Sequence, residues 1–187
     1  MTMAFTKLVE RFSRPGIRVA EVGVHVGHTM IGYLPIIEKM NGHAYAVDSF
    51  DSPFFHGDPN GFFQRFTAEV WPWKNHVTLL RGLSWEMADR IERKSLDIVF
   101  LDADHRYSSV MKDIAAWFPT VKPGGILCGH DCEGFENVGT FTQEELETDV
   151  TETRGHAGVI QAVWDWFGQY VELIPDEVTP PIWVKRL

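Results

Sequence analysis

The clearest strand–helix–strand pattern in the chain is residues 96–132, which read LDIVFLDADHRYSSVMKDIAAWFPTVKPGGILCGHDC. Its first part, Leu96–Leu101, is largely apolar, as expected of a strand buried on both faces of a parallel sheet. Tyr107–Trp117 has the pattern of a helix, and the turn Pro123-Gly124-Gly125 leads into a second strand at Gly125–Gly129. Because a helix separates the two strands, we expect them to lie parallel in one sheet.

The same alternation continues on both sides of this segment. It predicts further strands at Ile17–Val22, His43–Asp48, Val77–Arg81, Val171–Ile174 and Ile182–Lys185. It predicts further helices at Thr29–Met40, Gly61–Val70, Trp85–Ile91 and His156–Phe167. Pro35 should kink or shorten the first of these helices. The expected fold class is α/β, a doubly wound seven-stranded sheet, mostly parallel, with helices on both faces.

Composition and charge make several classes of protein and substrate poor candidates for this chain. A chain of 187 residues, 44% of them hydrophobic, suits one domain over residues 1–187. The net charge of −9 repels phosphate backbones, so nucleic acid is not the expected substrate. Cys128 and Cys132 alone form neither a zinc site nor a disulfide framework. We expect no membrane span and no signal peptide, and therefore a cytoplasmic protein.

The first strand ends in the motif E-x-G-x-x-x-G, from Glu21 to Gly27. Gly23 and Gly27 permit a tight turn and a close approach of the backbone to a ligand. His25 breaks the dinucleotide motif G-x-G-x-x-G, and the Gly-Lys-Ser/Thr ending of a P-loop is absent, so a phosphate cradle is disfavoured. The carboxylate of Glu21 suits a ligand with an ammonium group. The alternative is an ordinary strand–helix turn with an incidental glutamate.

The ends of the second and third strands complete a candidate nucleoside site. Asp48 can accept both hydroxyls of a ribose, and Ser49 follows it in the same subsite. At Leu83 and Ser84, a backbone amide or the serine hydroxyl could meet an adenine, although Ser84 could equally be the N-cap of a helix. A nucleoside carrying an amino acid fits these features, and S-adenosylmethionine (SAM) is such a ligand.

Charged residues follow the fourth and fifth strands directly. Asp102 and His105 follow one strand, and His130 and Asp131 follow the other, so we expect all four around one pocket. The two carboxylates could share a hard divalent cation. Such a cation lowers the pKa of a bound hydroxyl, whose proton His105 could then accept.

Two readings without a metal remain open for these residues. Asp102 and Asp104 could cap the following helix, with His105 packed on its first turn. Alternatively, one aspartate could pair with Arg106 or Lys122, or accept backbone amides at a helix N-terminus.

The segment 97–132, together with EVGVHVGHT, AVDSF and the later Gly158-Val159-x-x-Ala162-Val163, resembles a known family. It is similar to the small-molecule methyltransferases of the family 24 type, related to macrocin O-methyltransferase and cephalosporin hydroxylase, over Ile17–Phe167. The resemblance implies a class I SAM-dependent methyltransferase with a Rossmann-like fold and an antiparallel last strand.

The resemblance also implies roles for the charged residues. Asp102 and Asp131 match metal ligands for magnesium or manganese, His105 matches a proposed catalytic base, and Asp102 also borders the SAM site. Catechol-type relatives carry Asp-Asn after strand five where this chain has Asp131-Cys132, and cysteine is a poor magnesium ligand. His130 is the remaining candidate ligand and suits manganese or iron better than magnesium.

Two long segments should select the substrate. In Ser49–Asn60, the side chains of Phe54, Phe55 and His56 are expected to line a pocket, with Trp71 and Trp73 nearby. In Cys132–Gly155, the acidic run Glu144–Glu152 is interpreted as a solvated face. We expect no additional helices at the N-terminus, so a homodimer could supply a lid.

The function favoured by the sequence is methyl transfer from SAM to a hydroxyl of a small molecule, a sugar or an aromatic metabolite, assisted by a divalent metal. The alternatives are a metal-independent N- or O-methyltransferase and a SAM-binding module without catalytic activity.

Overall fold

A computed structural model describes residues 2–51, 59–152 and 154–187. One sheet contains seven strands: β1 (Arg18–Val22), β2 (His43–Asp48), β3 (Val77–Arg81), β4 (Leu96–Leu101), β5 (Val121–Gly129), β6 (Glu172–Ile174) and β7 (Ile182–Arg186). Their order is β3-β2-β1-β4-β5-β7-β6. Strands β1 to β5 pair in parallel, and β7 is antiparallel to both β5 and β6. The predicted fold class is therefore confirmed.

Helices cover both faces of the sheet. They are α1 (Met3–Arg11), α2 (His28–Lys39), α3 (Pro59–Val70), α4 (Ser84–Met87), α5 (Tyr107–Trp117), α6 (Gln143–Leu146) and α7 (Ala157–Phe167). Helices α1, α2 and α3 contribute to the core on one face, and α5 and α7 contribute to the core on the other. All six residues of β4 are buried, which explains the nearly continuous apolar sequence of this strand.

Large aromatic side chains fill both cores. On one face, Phe5 of α1 stacks on Phe100 of β4, with ring centroids 4.1 Å apart. On the other face, the rings of Phe167 and Trp183 lie 5.9 Å apart, and Trp117 is fully buried. Burial of such rings stabilises the helices against the sheet.

The structure differs from the sequence prediction in several elements. Helix α1 was not predicted; its apolar residues Ala4, Phe5, Leu8 and Val9 are buried in the core, whereas the helices expected to be absent are extra ones that cover the site. Strand β5 begins at Val121, because the chain pairs with Leu96 before a register shift at the Pro-Gly-Gly turn.

Two further expectations concern helices. Helix α2 runs through Pro35 to Lys39, so the proline does not shorten it. Its buried residues, which include Leu34 and Ile37, anchor the segment on both sides of the proline. Within the described part of the chain, no helix is both long and apolar enough to cross a membrane.

A charged cluster around Asp97, near the amino end of β4, connects this strand to β1, to β5 and to the segment before β1. Asp97 accepts hydrogen bonds from Arg14 Nε at 3.1 Å, from the Arg18 amide at 2.8 Å and from Lys122 Nζ at 3.2 Å. Burial opposes ionisation of Asp97, but these hydrogen bonds outweigh it and lower the pKa of the carboxyl. The cluster therefore lies at the edge of the sheet opposite the strand ends that carry the candidate site.

Replacing Asp97 by asparagine should destabilise the protein by about 1.5–3 kcal/mol at neutral pH, the usual loss for hydrogen bonds to a charged group. Because the folded pKa is lowered, this stabilisation is present above the unfolded pKa and disappears as the pH falls through the folded pKa. Urea unfolding at pH 7 and at pH 3 would measure it. An equal difference between the two proteins at both pH values would contradict the assignment.

Candidate active site

The carboxyl ends of β1, β2, β4 and β5 lie along one edge of the sheet. Strand β1 has β2 on one side and β4 on the other, so the strand order reverses at β1. Open parallel sheets bind ligands at the strand ends beside such a reversal. The residues that follow these four strands therefore form the candidate site.

Glu21, in β1, is a buried carboxyl whose pairing is incomplete. It is 1% exposed, and its Oε2 finds no hydrogen-bond partner among the described residues. Burial, reinforced by the charge of Asp102, raises the pKa of Glu21 well above its usual range, and the hydroxyl of Tyr33 lies beside the carboxyl. An unpaired buried carboxylate is costly unless a cationic group meets it. Glu21 is thus suited to receive the ammonium group of a ligand.

Asp48, at the end of β2, organises the loop that follows β1. Its Oδ2 accepts the amide of His25 and its Oδ1 accepts the amide of Phe50, both at 2.8 Å. Burial raises the pKa of Asp48 despite these hydrogen bonds. The backbone of Val24 also interacts with this carboxylate, which has about four acceptor sites in all, so capacity for a ligand hydroxyl remains. Asp48 therefore shapes the loop whether or not it contacts a ribose.

Gly23 is required by close backbone packing. A Cβ at this position would lie 2.0 Å from the carbonyl oxygen of Asp102, and φ is +91°. The glycine therefore lets the end of β1 approach the end of β4. Gly27, with φ +86°, turns the chain into α2. Contact of either glycine with SAM stays a prediction.

The loop after β3 exposes Leu83, which precedes α4 and is 46% exposed. Ser84 is the first residue of α4 and makes no capping hydrogen bond, so the alternative of Ser84 as N-cap is wrong. Its carbonyl accepts a hydrogen bond from Trp117 Nε1 at 3.1 Å. Burial raises the pKa of Asp113 to about 7, although the side chain of Ser84 lowers it. These contacts fix Ser84, and the contact of Leu83 and Ser84 with adenine stays a prediction.

The predicted catalytic residues lie together around Asp131. Its Oδ2 is 3.1 Å from His105 Nε2, and its Oδ1 is 3.0 Å from His130 Nδ1. Asp102 Oδ1 lies 3.9 Å from His105 Nε2 and 3.6 Å from His130 Nδ1. The four side chains that the sequence placed in one pocket are therefore in contact.

Opposite charges balance in this cluster. Burial opposes the charged form of both rings, but Asp102 and Asp131 outweigh it and raise the pKa of His105 and of His130 to about 10. Burial likewise opposes ionisation of the two aspartates, yet the imidazoles lower the pKa of both carboxyls. Without a metal ion, imidazolium rings therefore neutralise the carboxylates.

The donor set also fits a divalent cation. Asp102, His130 and Asp131 each offer a ligand atom, and these three atoms lie within 4.8 Å of one another. The nitrogens of His105 are buried but make no aligned hydrogen bond within the described residues, despite their short distances to carboxylates. Asp131 has φ +59°, a strained value that this cluster holds in place.

The alternative ion pairs of the catalytic aspartates are wrong. Arg106 pairs with Asp104, and Lys122 pairs with Asp97 at the opposite edge of the sheet. Asp104 also accepts the amide of Arg106 at 3.0 Å and the hydroxyl of Ser109 at 3.0 Å, so it braces the start of α5. Asp104 therefore stabilises the turn that leads into α5, whose N-cap is Arg106, while Asp102 belongs to the histidine cluster.

Three residues of the long segment after β5 reach the site and were not predicted. His105 Nδ1 lies 2.8 Å from Asp149 Oδ1, and His156 Nδ1 lies 2.7 Å from Glu133 Oε1 and 3.7 Å from Asp131 Oδ1. The interpretation of the acidic run as a solvated face is therefore wrong for Asp149. His156 is the first residue of a predicted helix, which was the available signal for it, and it is the N-cap of α7 in the structure.

Only some of the residues expected to line the substrate pocket lie in the described part of the chain. Phe54, Phe55 and His56 lie outside the described residues. Trp71 is 59% exposed, and Trp73 packs against the core on the face of α1, α2 and α3.

Comparison with protein families places part of the chain in a methyltransferase domain family. The model of a methyltransferase domain family matches residues 20–132, more than half of the chain. Protein y4gI of Sinorhizobium fredii is 26% identical over 121 residues, which cover 62% of this chain and 13% of that protein. The matched part is thus a small fraction of this longer relative.

Solved methyltransferase structures share the fold. The O-methyltransferase TomG of Streptomyces achromogenes, involved in tomaymycin synthesis and solved with SAM, superposes with a TM-score of 0.67 at 12% identity, over 97% of this chain and 77% of that one. An rRNA methylase of Streptococcus thermophilus gives 0.59 at 10% identity, over 98% and 94% of the two chains. At these identities the likeness establishes the fold alone.

Proposed function

Because the chain belongs to this family of methyltransferase domains, we propose that it transfers the methyl group of SAM to a hydroxyl of a small molecule, a sugar or an aromatic metabolite. We propose further that a divalent cation, magnesium or manganese, assists the transfer. The observation that carries the proposal is the contact of Asp102, His105 and Asp131 beside the unpaired Glu21.

The donor side of the site is negatively charged, as a cationic cofactor requires. Glu21 lies in β1, between β2, which ends in Asp48, and β4, which Asp102 follows. Burial first, and then the charges of Asp102 and Asp48, raise the pKa of Glu21. SAM supplies an electrophilic methyl group on a positively charged sulfur and also carries an ammonium group. Glu21 would bind the ammonium group, Asp48 and Ser49 the ribose, and Leu83 and Ser84 the adenine.

The acceptor side must position a hydroxyl and remove its proton. His105 Nε2 faces both aspartates. In its neutral form, which a cation held by the aspartates would favour over the imidazolium, this nitrogen would take the proton as the hydroxyl oxygen bonds to the methyl carbon and S-adenosylhomocysteine leaves. Asp102, Asp131 and His130 would hold the cation, which lowers the pKa of a bound hydroxyl when present. Holding oxygen and methyl in line supplies much of the expected rate enhancement.

The charge of the chain favours a small substrate over RNA. A net charge of −9 opposes a phosphate backbone, although an rRNA methylase shares the fold. A metal-independent reaction is the second candidate, and a specific observation favours it: His105 and His130 can balance the aspartates without a cation. In that reaction the imidazolium of His105 must first lose its proton before the ring can act as the base.

Methyl transfer from labelled SAM to a panel of hydroxylated metabolites tests the proposal. We expect transfer to at least one sugar or phenol, loss of transfer in EDTA and recovery with magnesium or manganese. Full activity in EDTA would support the metal-independent candidate. Tight SAM binding without transfer to any compound would support the module without catalysis.

Replacing Glu21 by glutamine should weaken SAM binding about 10- to 100-fold, because a charge-assisted contact contributes roughly 1.5–3 kcal/mol. Calorimetric titration of both proteins with SAM measures this change.

Thermal unfolding without ligand is the control for this variant. Because the pKa of Glu21 is raised in the folded state, the wild-type protein loses stability as the pH rises from the unfolded value of about 4.3. The glutamine variant lacks this loss and should unfold at the same or a higher temperature at pH 8. Unchanged SAM affinity in a folded variant would refute the ammonium assignment.

A further inference from the structure

The geometry points to a second metal site, formed by His105, Asp131 and His156, which binds zinc or a similar imidazole-preferring ion and thereby blocks methyl transfer. The three residues come from the loop after β4, the end of β5 and the start of α7. One ligand atom from each lies within 4.8 Å of the others. The site shares only Asp131 with the group Asp102, His130 and Asp131.

The distances are close to those between the ligands of a tetrahedral ion, with each histidine facing a different oxygen of Asp131. His105 Nε2 is 3.1 Å from Asp131 Oδ2, and His156 Nδ1 is 3.7 Å from Asp131 Oδ1. Metal–ligand bonds of about 2.0–2.1 Å place two ligands of tetrahedral zinc about 3.3 Å apart. The two imidazole rings lie edge to face with centroids 4.7 Å apart, so their nitrogens converge without stacking. Small movements of these side chains would complete the site.

The chemistry of the ligands selects the ion. Two imidazoles and one carboxylate are typical of zinc and other late divalent metals, whereas magnesium prefers oxygen ligands in octahedral geometry. Glu133 Oε1 lies 2.7 Å from His156 Nδ1, beside the three ligands, and water can complete the tetrahedral shell. The site is therefore expected to discriminate strongly against magnesium.

An outer carboxylate supports His105 as a ligand. Metal-bound histidines usually direct their second nitrogen to a carboxylate or carbonyl, which fixes the ring. Asp149 Oδ1 lies 2.8 Å from His105 Nδ1, on the opposite nitrogen from Asp131. Both ring nitrogens are buried without an aligned hydrogen bond in the described chain, so a metal that replaces the Nε2 proton would break no aligned hydrogen bond.

Occupation of this site has a consequence for catalysis that rests on the proposed function. A metal on His105 Nε2 uses the lone pair that would accept the proton of the substrate hydroxyl. It also takes Asp131 from the cation that would assist transfer. Zinc is therefore expected to inhibit by competition for two residues of the same centre.

Direct binding measurements test the site without any substrate. Metal-free full-length protein is titrated with Zn²⁺ by calorimetry, and with Co²⁺ by visible absorption, in the wild type, in His156→Gln and in His76→Gln. His76 precedes β3 and bonds to Gly42 at the opposite edge of the sheet, so it is the matched control. We expect at least a tenfold weaker affinity for Zn²⁺ in His156→Gln alone, and intense absorption of tetrahedral Co²⁺ in the wild type.

The outcomes separate this inference from the proposed function. Equal Zn²⁺ affinity in wild type and a folded His156→Gln variant, or absence of Zn²⁺ binding by the wild type, would overturn the site. If His156→Gln does not fold, the weak absorption of octahedral Co²⁺ in the wild type would overturn it instead. Zn²⁺ inhibition is then measured for each protein relative to its own activity without zinc. Failure of methyl transfer would refute the proposed function and leave the binding result intact.

Discussion

Replacing His105 by alanine is expected to lower kcat about 10²- to 10⁴-fold, the usual contribution of a positioned general base. His105 Nε2 faces both Asp131 and Asp102, and its Nδ1 faces Asp149, so three carboxylates surround one ring. An alanine leaves the substrate hydroxyl without a proton acceptor at this position. Single-turnover measurement of methyl transfer from labelled SAM would separate this effect from product release.

SAM affinity provides the control for this variant. The residues assigned to the donor, Glu21 and Asp48, belong to β1 and β2 and do not depend on His105 for their hydrogen bonds. Calorimetry should therefore give nearly the same dissociation constant for SAM in both proteins. A kcat within twofold of wild type, with SAM binding intact, would exclude His105 as the base.

The fold was predictable because burial leaves a direct pattern in the sequence. Strand β4 is buried on both faces and helix α5 on one, and both were predicted with the boundaries that the structure shows. Strand β5 was predicted too short because a Pro-Gly-Gly sequence reads as a turn. The structure shows a register shift in its pairing with β4, which is a tertiary feature.

The convergence of the catalytic residues was also predictable, since parallel strands end at one edge of the sheet. Asp102, His105, His130 and Asp131 follow two adjacent strands, and the structure brings them into contact. Their roles in binding and catalysis stay predictions. The partner of Lys122 was not predicted correctly. The sequence suggested a pair with a catalytic aspartate, but in the structure Lys122 pairs with Asp97.

The contributions of Glu133, Asp149 and His156 could not be predicted. They lie on the long connection after β5 or at its end. The sequence there has no helical or strand periodicity from which the orientation of a side chain could be predicted. Glu145 belongs to a capping box with Thr142 and also pairs with Arg154. This acidic residue therefore joins two parts of the same connection and does not reach the site. Asp149 reaches His105 only because the folded loop returns over the site.

Replacing Asp131 by asparagine should lower kcat by a factor on the order of 10² to 10⁴, because stabilisation of transition-state charge by a metal contributes several kcal/mol and each 1.36 kcal/mol is tenfold. Asp131 lies within 3.1 Å of His105 and His130 and within 3.7 Å of His156. Asparagine tolerates the left-handed backbone at φ +59°, so the variant should fold. It removes the charge that both metal sites and both imidazolium rings share.

The matched control for this change is Asp104→Asn. Asp104 lies in the loop before α5 but pairs with Arg106 outside the cluster, so its loss should leave kcat nearly unchanged. Both variants are assayed with manganese and in EDTA, beside the wild type. If a cation is required, Asp131→Asn with manganese should resemble the wild type in EDTA, while both still bind SAM. If the wild type keeps its full rate in EDTA and Asp131→Asn is still inactive, the carboxylate acts by orienting His105, and the metal-independent reaction is the correct one.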